Sequence, residues 1–257
     1  MKRAELAQMI DHTLLKPEAT EDQVKALAEQ ARELGVWSIC VSPSMIPLLT
    51  NGPRTLVNNQ RPAVLTRGSR RLTSGNAEGK QSFEPGRPVF DRPPRLAVVC
   101  GFPSGAHHPE VKAAEAARAR RDGADELDMV VNLRWLMEED WARAAQDIEA
   151  VRAAFPRPGV LKVILETAAL TDRQIVRASE VAAAGGADFV KTSTGFHPAG
   201  GATTQAVALM LQAVGPQVQV KAAGGIRTTD QALAMIDAGA TRLGLSATAQ
   251  ILAGLPE

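Results

Sequence analysis

Residues 182–191 read AAAGGADFVK, and the reading of this stretch decides the fold. An alanine-rich helical run stops at glycine, and a short β-prone run ending in lysine follows. Glycine suits the position after a helix because it takes a left-handed φ without a Cβ clash. The same unit recurs as ARELG-VWSIC (31–40), ARRDG-ADELD (119–128) and MIDAG-ATRLG (235–244). The runs after the glycines are too short for helices and rich in Val, Ile, Leu and Phe, as strands buried on both faces should be. Counting every such run predicts eight strands, near 9–14, 37–41, 95–100, 126–131, 161–165, 188–192, 218–222 and 242–246. Helical patterns lie between most of them, several opened by Thr20-Glu21-Asp22, Pro109-Glu110, Thr171-Asp172 or Thr228-Thr229-Asp230. Eight strands alternating with helices pair in parallel through right-handed crossovers and close on themselves. The predicted fold is therefore α/β, a single-domain TIM (β/α)8 barrel over residues 1–257. A doubly wound open sheet competes with it, but no GxGxxG follows the first strand.

Length and composition agree with one barrel. The 257 residues carry 29 Lys and Arg against 28 Asp and Glu, with 4% aromatics and no Tyr. That balance argues against a nucleic-acid footprint, since little charge or ring surface is available for it. The start, MKRAELAQMI, has no signal-peptide core, and no run of about 18 apolar residues could span a bilayer. Cys40 and Cys100 make no disulfide framework, so a reducing cytoplasm is expected.

The near-neutral total hides an uneven distribution. Residues 51–95 hold nine Lys and Arg against three Asp and Glu, a local +6, which leaves −5 for the rest. Eleven of those 45 residues are Gly or Pro, with no sustained helical period. An irregular segment over 48–95 is thus expected to replace or disrupt the second helix. A disordered surface insertion fits its polarity, while a basic lid and a local sequence irregularity are the competing readings.

The repeat also places side chains. The fifth residue after each unit's final glycine is Cys40, Asp128, Lys191 and Gly244, at equivalent places near the C-terminal ends of strands two, four, six and eight. Strand alternation puts the third residue on the same face, which adds Glu126 and Arg242. These two are expected to form a structural charge pair deep in the barrel. Lys221 is expected at the end of the seventh strand. An inward lysine is rarely buried unless paired. Lys191 could pair with Asp128 as structural charge while Lys221 reaches solvent. Two lysines on adjacent strands favour another reading, in which each lowers the other's pKa and a free amine attacks a carbonyl group.

The turn after strand seven, AAGGIRTTD, and the end of strand eight, GLSATAQ, suggest a phosphate site. Gly224 and Gly225 could offer backbone N–H groups, and a short helix could begin at Ser246. Loops after strands seven and eight are the usual phosphate site of such barrels. Thr194 and Gly195 of Lys191-Thr-Ser-Thr-Gly195 would join the same rim. His12 should point away from the barrel interior towards a helix, and His197 should lie in a rim loop. No HxH or HExxH spacing supports a metal site among the histidines. Cys40 should be a small buried apolar side chain near the mouth.

These residues resemble the deoxyribose-phosphate aldolases. The matching runs are IDHTLL (10–15), SIC-VSP (38–43), GFPSGAHHPEVKAAEA (101–116), GADELDMVVN (123–132), LKVILETAAL (161–170), GADFVKTSTGF (186–196) and VKAAGGIRTTDQALAMIDAGATRLG (220–244). The resemblance implies reversible cleavage of 2-deoxy-D-ribose 5-phosphate to glyceraldehyde 3-phosphate and acetaldehyde, without metal or organic cofactor. It implies that Lys191 forms the Schiff base, Lys221 depresses its partner's pKa, Asp128 relays protons through water and Asp11 contacts a sugar hydroxyl. Cys40, Thr194, Gly195, Gly224, Gly225 and Ser246 would line the substrate. The chain departs from the family pattern at Ser42 and Met45 after strand two, at Ala247 beside Ser246, at the three residues His197-Pro198-Ala199, and in having no Tyr. Another Schiff-base aldolase of the same barrel type, or a non-catalytic phosphosugar-binding barrel, remains open at this point, as does a homo-oligomer.

Overall fold

The computed structural model describes residues 1–50 and 93–257. Its eight strands are β1 (Ile10–Leu14), β2 (Ser38–Val41), β3 (Arg95–Cys100), β4 (Glu126–Val130), β5 (Val160–Ile164), β6 (Phe189–Lys191), β7 (Gln219–Ala223) and β8 (Arg242–Leu245). They close in sequence order into an all-parallel barrel, with β8 paired to β1. Each expected strand is present, within a residue or two of its expected ends. The helices are α1 (Arg3–Ala7), α2 (Glu21–Leu34), α3 (Ile46–Thr50), α4 (Pro109–Asp122), α5 (Leu133–Met137), α6 (Trp141–Ala154), α7 (Asp172–Ala184), α8 (Thr204–Val214), α9 (Thr229–Asp237) and α10 (Thr248–Ala253).

The start and stop signals act as local chemistry requires. Thr20, Thr171 and Thr228 each cap a helix in a reciprocal box with Gln23, Gln174 and Gln231. Gly35, Gly123, Gly186 and Gly239 all hold positive φ, between 63° and 111°, where the chain leaves a helix for the next strand. The expected irregular segment at 48–95 falls largely outside the described residues. Its near edge differs from expectation, since Leu48, Leu49 and Thr50 are helical in α3.

The apolar core is a sleeve between sheet and helices. Leu96 and Val98 of β3, Leu127 and Met129 of β4, Leu161 and Val163 of β5 and Val220 of β7 face outward into it. They meet Ala28, Ala116, Ala144, Ala182 and Val207 of the surrounding helices. Alanine on the inner helix face lets the backbones lie close to the sheet. His12 also points outward, with Nε2 2.9 Å from Gln30 Oε1 of α2 and Nδ1 2.8 Å from Thr248 Oγ1 of α10.

The barrel interior is ordered in layers of four, drawn from alternate strands. The registers give a lower layer of Ser38, Glu126, Phe189 and Arg242 and an upper layer of Cys40, Asp128, Lys191 and Gly244. Between them lie Asp11, Ala97, Lys162 and Lys221, each paired to one residue of each even-strand layer. Such layers are usually bulky and branched. Here they carry seven charged groups, and small residues at 97 and 244 leave them room. Gly244 shows how tight that room is: a Cβ there would stand 2.9 Å from Ala223 Cβ and 3.2 Å from Lys221 Cε. Gly244→Val should therefore overpack the layer and destabilise the fold by about 1–3 kcal/mol. A melting midpoint equal to that of the unmodified chain would count against this account.

Candidate active site

The three layers bring three carboxylates and four cations into one buried network. Asp11, Glu126, Asp128, Lys162 and Lys221 are all fully buried, and Lys191 and Arg242 nearly so. Arg242 Nη1 donates to Asp11 Oδ1 at 2.7 Å and to Glu126 Oε2 at 3.0 Å. The expected Glu126–Arg242 pair is thus present, and its guanidinium is also sandwiched near the Trp37 and Phe189 rings at 4.9 and 5.2 Å. Trp37 Nε1 donates to the other oxygen of Glu126 at 2.8 Å. Asp11 accepts from Ser38 Oγ at 2.7 Å and from Lys221 Nζ at 2.5 Å.

Asp128 holds the centre. Its Oδ1 accepts from Lys162 at 2.8 Å, and its Oδ2 accepts from both Lys191 at 2.8 Å and Lys221 at 2.7 Å. Lys162 also lies 2.6 Å from Glu126 and 3.6 Å from Asp11. Burial would raise the Asp128 carboxyl, but Lys162, Lys191 and Lys221 outweigh it and hold the group well below the carboxylate range.

The two expected lysines behave differently. Burial lowers the Lys191 ammonium, and Lys221 adds to that against the pull of Asp128. For Lys221 burial is overcome by Asp11 and Asp128, so its ammonium is raised. The expectation of mutual depression is corrected on this point: Lys221 has two carboxylates at contact distance and Lys191 has one. Lys221 is also neither at the end of β7 nor in solvent, being the middle residue of the strand and fully buried.

Other expected residues are placed as follows. Cys40 is buried in a small apolar group with Leu15, Ala97, Val99 and Phe102, and burial pushes its thiol up to about 11. Asp11 has both oxygens engaged by Lys221, Arg242 and Ser38, which leaves it committed within the middle layer rather than open to a sugar hydroxyl. Thr194 is likewise committed: its hydroxyl donates to Glu166 Oε2 at 2.6 Å and accepts from Phe196 N at 3.1 Å. Thr192 exchanges two hydrogen bonds with the Ala223 backbone. Gly195 and Gly224 have φ of 84° and 91°, and a Cβ on Gly224 would stand 3.3 Å from Gly195 Cα and from Ser193 Cβ. Gly225 has φ 80° with open space before it, and Ser246 is exposed on the adjacent strand end. The short helix begins at Thr248 after Ala247, two residues later than expected for Ser246. His197 lies on the rim, as expected.

Two functional-looking residues escaped the sequence reading. Lys162 sits in an apolar run, VLKVI, whose preceding Gly159 follows a proline turn rather than a helix end, so the helix–glycine unit does not index it. Its signal was a lysine inside a buried strand, which demands inward carboxylates. Glu166 lies two residues beyond the end of the same strand at φ 58°, a strained value for a non-glycine, and receives the Thr194 N–H at 3.2 Å. It lines a cavity of about 150 Å³ with Pro103, Val130, Leu133, Thr194 and Phe196 on the mouth side of the barrel.

The sequence and its barrel match known proteins. The family described as DeoC/LacD family aldolase matches residues 6–253. The chain belongs to that family. It is 55% identical to a deoxyribose-phosphate aldolase of Kocuria rhizophila, over 98% of both chains. It is 51% identical to one of Corynebacterium diphtheriae, over 99% of both. Among solved structures it resembles the tetrameric deoxyribose phosphate aldolase of Aeropyrum pernix, with TM-score 0.75 and 27% identity over 98% of this chain and 91% of that one. An aldolase named QR15 superposes at TM-score 0.76 with 31% identity, covering 96% and 94%. In this DeoC/LacD-family barrel no helix among the described residues is long and apolar enough to cross a membrane.

Proposed function

We propose that this chain cleaves 2-deoxy-D-ribose 5-phosphate reversibly to D-glyceraldehyde 3-phosphate and acetaldehyde through a Schiff base on Lys191. The observation that carries the reading is the unequal pairing of the lysines. Lys191 has one carboxylate partner, an upper-layer position at the mouth and an ammonium lowered by burial, so it gives up its proton most readily.

The free amine adds to the C1 aldehyde of the open-chain sugar, and loss of water leaves a protonated imine. The C2–C3 bond then breaks. Its electron pair flows into the imine to form an enamine, while the C3 hydroxyl loses its proton and becomes the aldehyde of the released triose phosphate. Protonation at C2 and hydrolysis release acetaldehyde and restore Lys191. The protonated imine itself is the electron sink, so the step calls on no cofactor. Asp128 bridges Lys191 and Lys221 through Oδ2 and is suited to move protons between them. The positive-φ turns at Gly195, Gly224 and Gly225, with Ser246 beside them, supply the place for the phosphate group. The tetramer described for the Aeropyrum pernix protein supports a homo-oligomer of this chain, and the two free, buried thiols of Cys40 and Cys100 fit a reducing cytoplasm.

Borohydride reduction in the presence of acetaldehyde tests the chemistry. A stable ethyl adduct on Lys191 is expected, with acetaldehyde released from deoxyribose 5-phosphate by the untreated protein. Folded protein with no adduct, or with an adduct on Lys221 alone, would defeat the reading. An adduct on Lys191 without cleavage of deoxyribose 5-phosphate would favour a different aldehyde pair.

A further inference from the structure

We propose that Lys162 is the positioning residue that sets the protonation of Lys191, by occupying Asp128 from below and leaving the network one cation in excess. This rests on the reading of Lys191 as the nucleophile.

The geometry separates the four cations by what they touch. Lys162 lies 2.6 Å from Glu126, 2.8 Å from Asp128 and 3.6 Å from Asp11, so it alone among them reaches all three carboxylates. Lys221 contacts Asp11 and Asp128, and Arg242 contacts Asp11 and Glu126. Lys191 contacts Asp128 only. Three carboxylates neutralise three cations. The fourth cation carries the full cost of a buried charge, and a group in that position sheds its proton. Arg242 does not deprotonate. Lys162 is the most heavily paired lysine, and the contacts to Asp128, Glu126 and Asp11 raise it against burial. Lys191, least paired and nearest the mouth, is left to lose the proton.

Among the described residues, the titratable groups of the barrel interior around Lys191 come from six strands. They are Asp128 and Glu126 from β4, Lys162 from β5, Lys221 from β7, Arg242 from β8, Asp11 from β1 and the neutral thiol of Cys40 from β2. Glu166, above β5, is turned towards Thr194. Asp128 gives one oxygen to Lys162 and shares the other between Lys191 and Lys221. Removing the Lys162 charge would balance the network with Lys191 still protonated, and the amine would hold its proton to higher pH.

The test is the pH dependence of borohydride trapping on Lys191 with acetaldehyde, using the full chain. Lys162→Met is expected to move the midpoint upward by about one pH unit, which is roughly a tenfold slower trapping on the acid side of the midpoint. Glu126→Gln removes a carboxylate instead and should move it downward. Lys162→Met combined with Glu126→Gln restores the one-cation excess and should return the midpoint close to that of the unmodified chain. Loss of packing alone would lower the melting temperature or the trapping yield without moving the midpoint in opposite directions. If Lys162→Met does not fold, Glu126→Gln and the double variant decide the matter. An unchanged midpoint in Glu126→Gln, or an unchanged or lowered one in folded Lys162→Met, overturns the proposal. No Lys191 adduct in the unmodified chain would instead overturn the nucleophile assignment itself.

Discussion

Lys191→Met is expected to lose at least about 10⁴-fold in kcat for cleavage of deoxyribose 5-phosphate while keeping the fold. No other described lysine can take over the chemistry. Lys221 and Lys162 each touch two or more carboxylates and sit one layer deeper. The stability effect should have the opposite sign. Met at 191 leaves Asp11, Glu126 and Asp128 matched by Lys162, Lys221 and Arg242, and removes an ammonium whose charge burial disfavours. The melting midpoint should stay level or rise by a few degrees, as happens when an active-site group is held against its own preference. Calorimetry and steady-state cleavage on the same preparation check both halves. Retention of more than a hundredth of the activity would remove Lys191 from its role. A large fall in melting temperature would show that its charge stabilises the fold after all.

The second large effect lies outside the barrel interior. Lys112 of α4 and Asp147 of α6 form a fully buried pair 2.7 Å apart, behind β4. Lys112 Nζ also donates to the Val130 carbonyl at 2.9 Å, and Asp147 Oδ2 accepts the Asn132 N–H at 3.2 Å. Together they fix the chain where it leaves β4, two residues beyond Asp128. Burial raises the Asp147 carboxyl over the pull of Lys112, and burial lowers the Lys112 ammonium over the pull of Asp147. The pair therefore does not repay its own desolvation, and breaking it strands the partner. Asp147→Ala should cost about 3–5 kcal/mol, a fall of roughly 6–20 °C in melting midpoint for a chain of this size. Replacing both residues together, Lys112→Met with Asp147→Leu, should recover most of that loss. A single variant as stable as the parent, or a double variant as unstable as the single, would contradict this account.

Several features were legible in the sequence because their causes are local. A glycine after a helix takes positive φ wherever it stands, and Gly35, Gly123, Gly186 and Gly239 all do. Counting five residues on from each lands on Cys40, Asp128, Lys191 and Gly244, which form one layer of the barrel. His12 turns outward for the same reason of alternation. Glu126 and Arg242 were placed together by the rule that even strands share layers. Lys162 was missed because Gly159, before β5, follows a proline turn rather than a helix end, and the lysine sits among Val, Leu and Ile. Thr194 looked available as a rim hydroxyl because nothing nearby in sequence showed Glu166, 28 residues earlier, reaching back to it.

The sequence by itself determined the barrel, its strand order and the inward placement of a carboxylate and a lysine at the mouth. Those follow from strand period, helix-stop chemistry and the handedness of crossovers, all of which act over a few residues. Only the tertiary structure decided which charges touch, and so which lysine keeps its proton. The contact that makes Lys221 a firm cation joins it to Asp11, 210 residues away in the chain. Electrostatic energy depends on distance and burial in space, and closure of β8 against β1 is what brings those two side chains together.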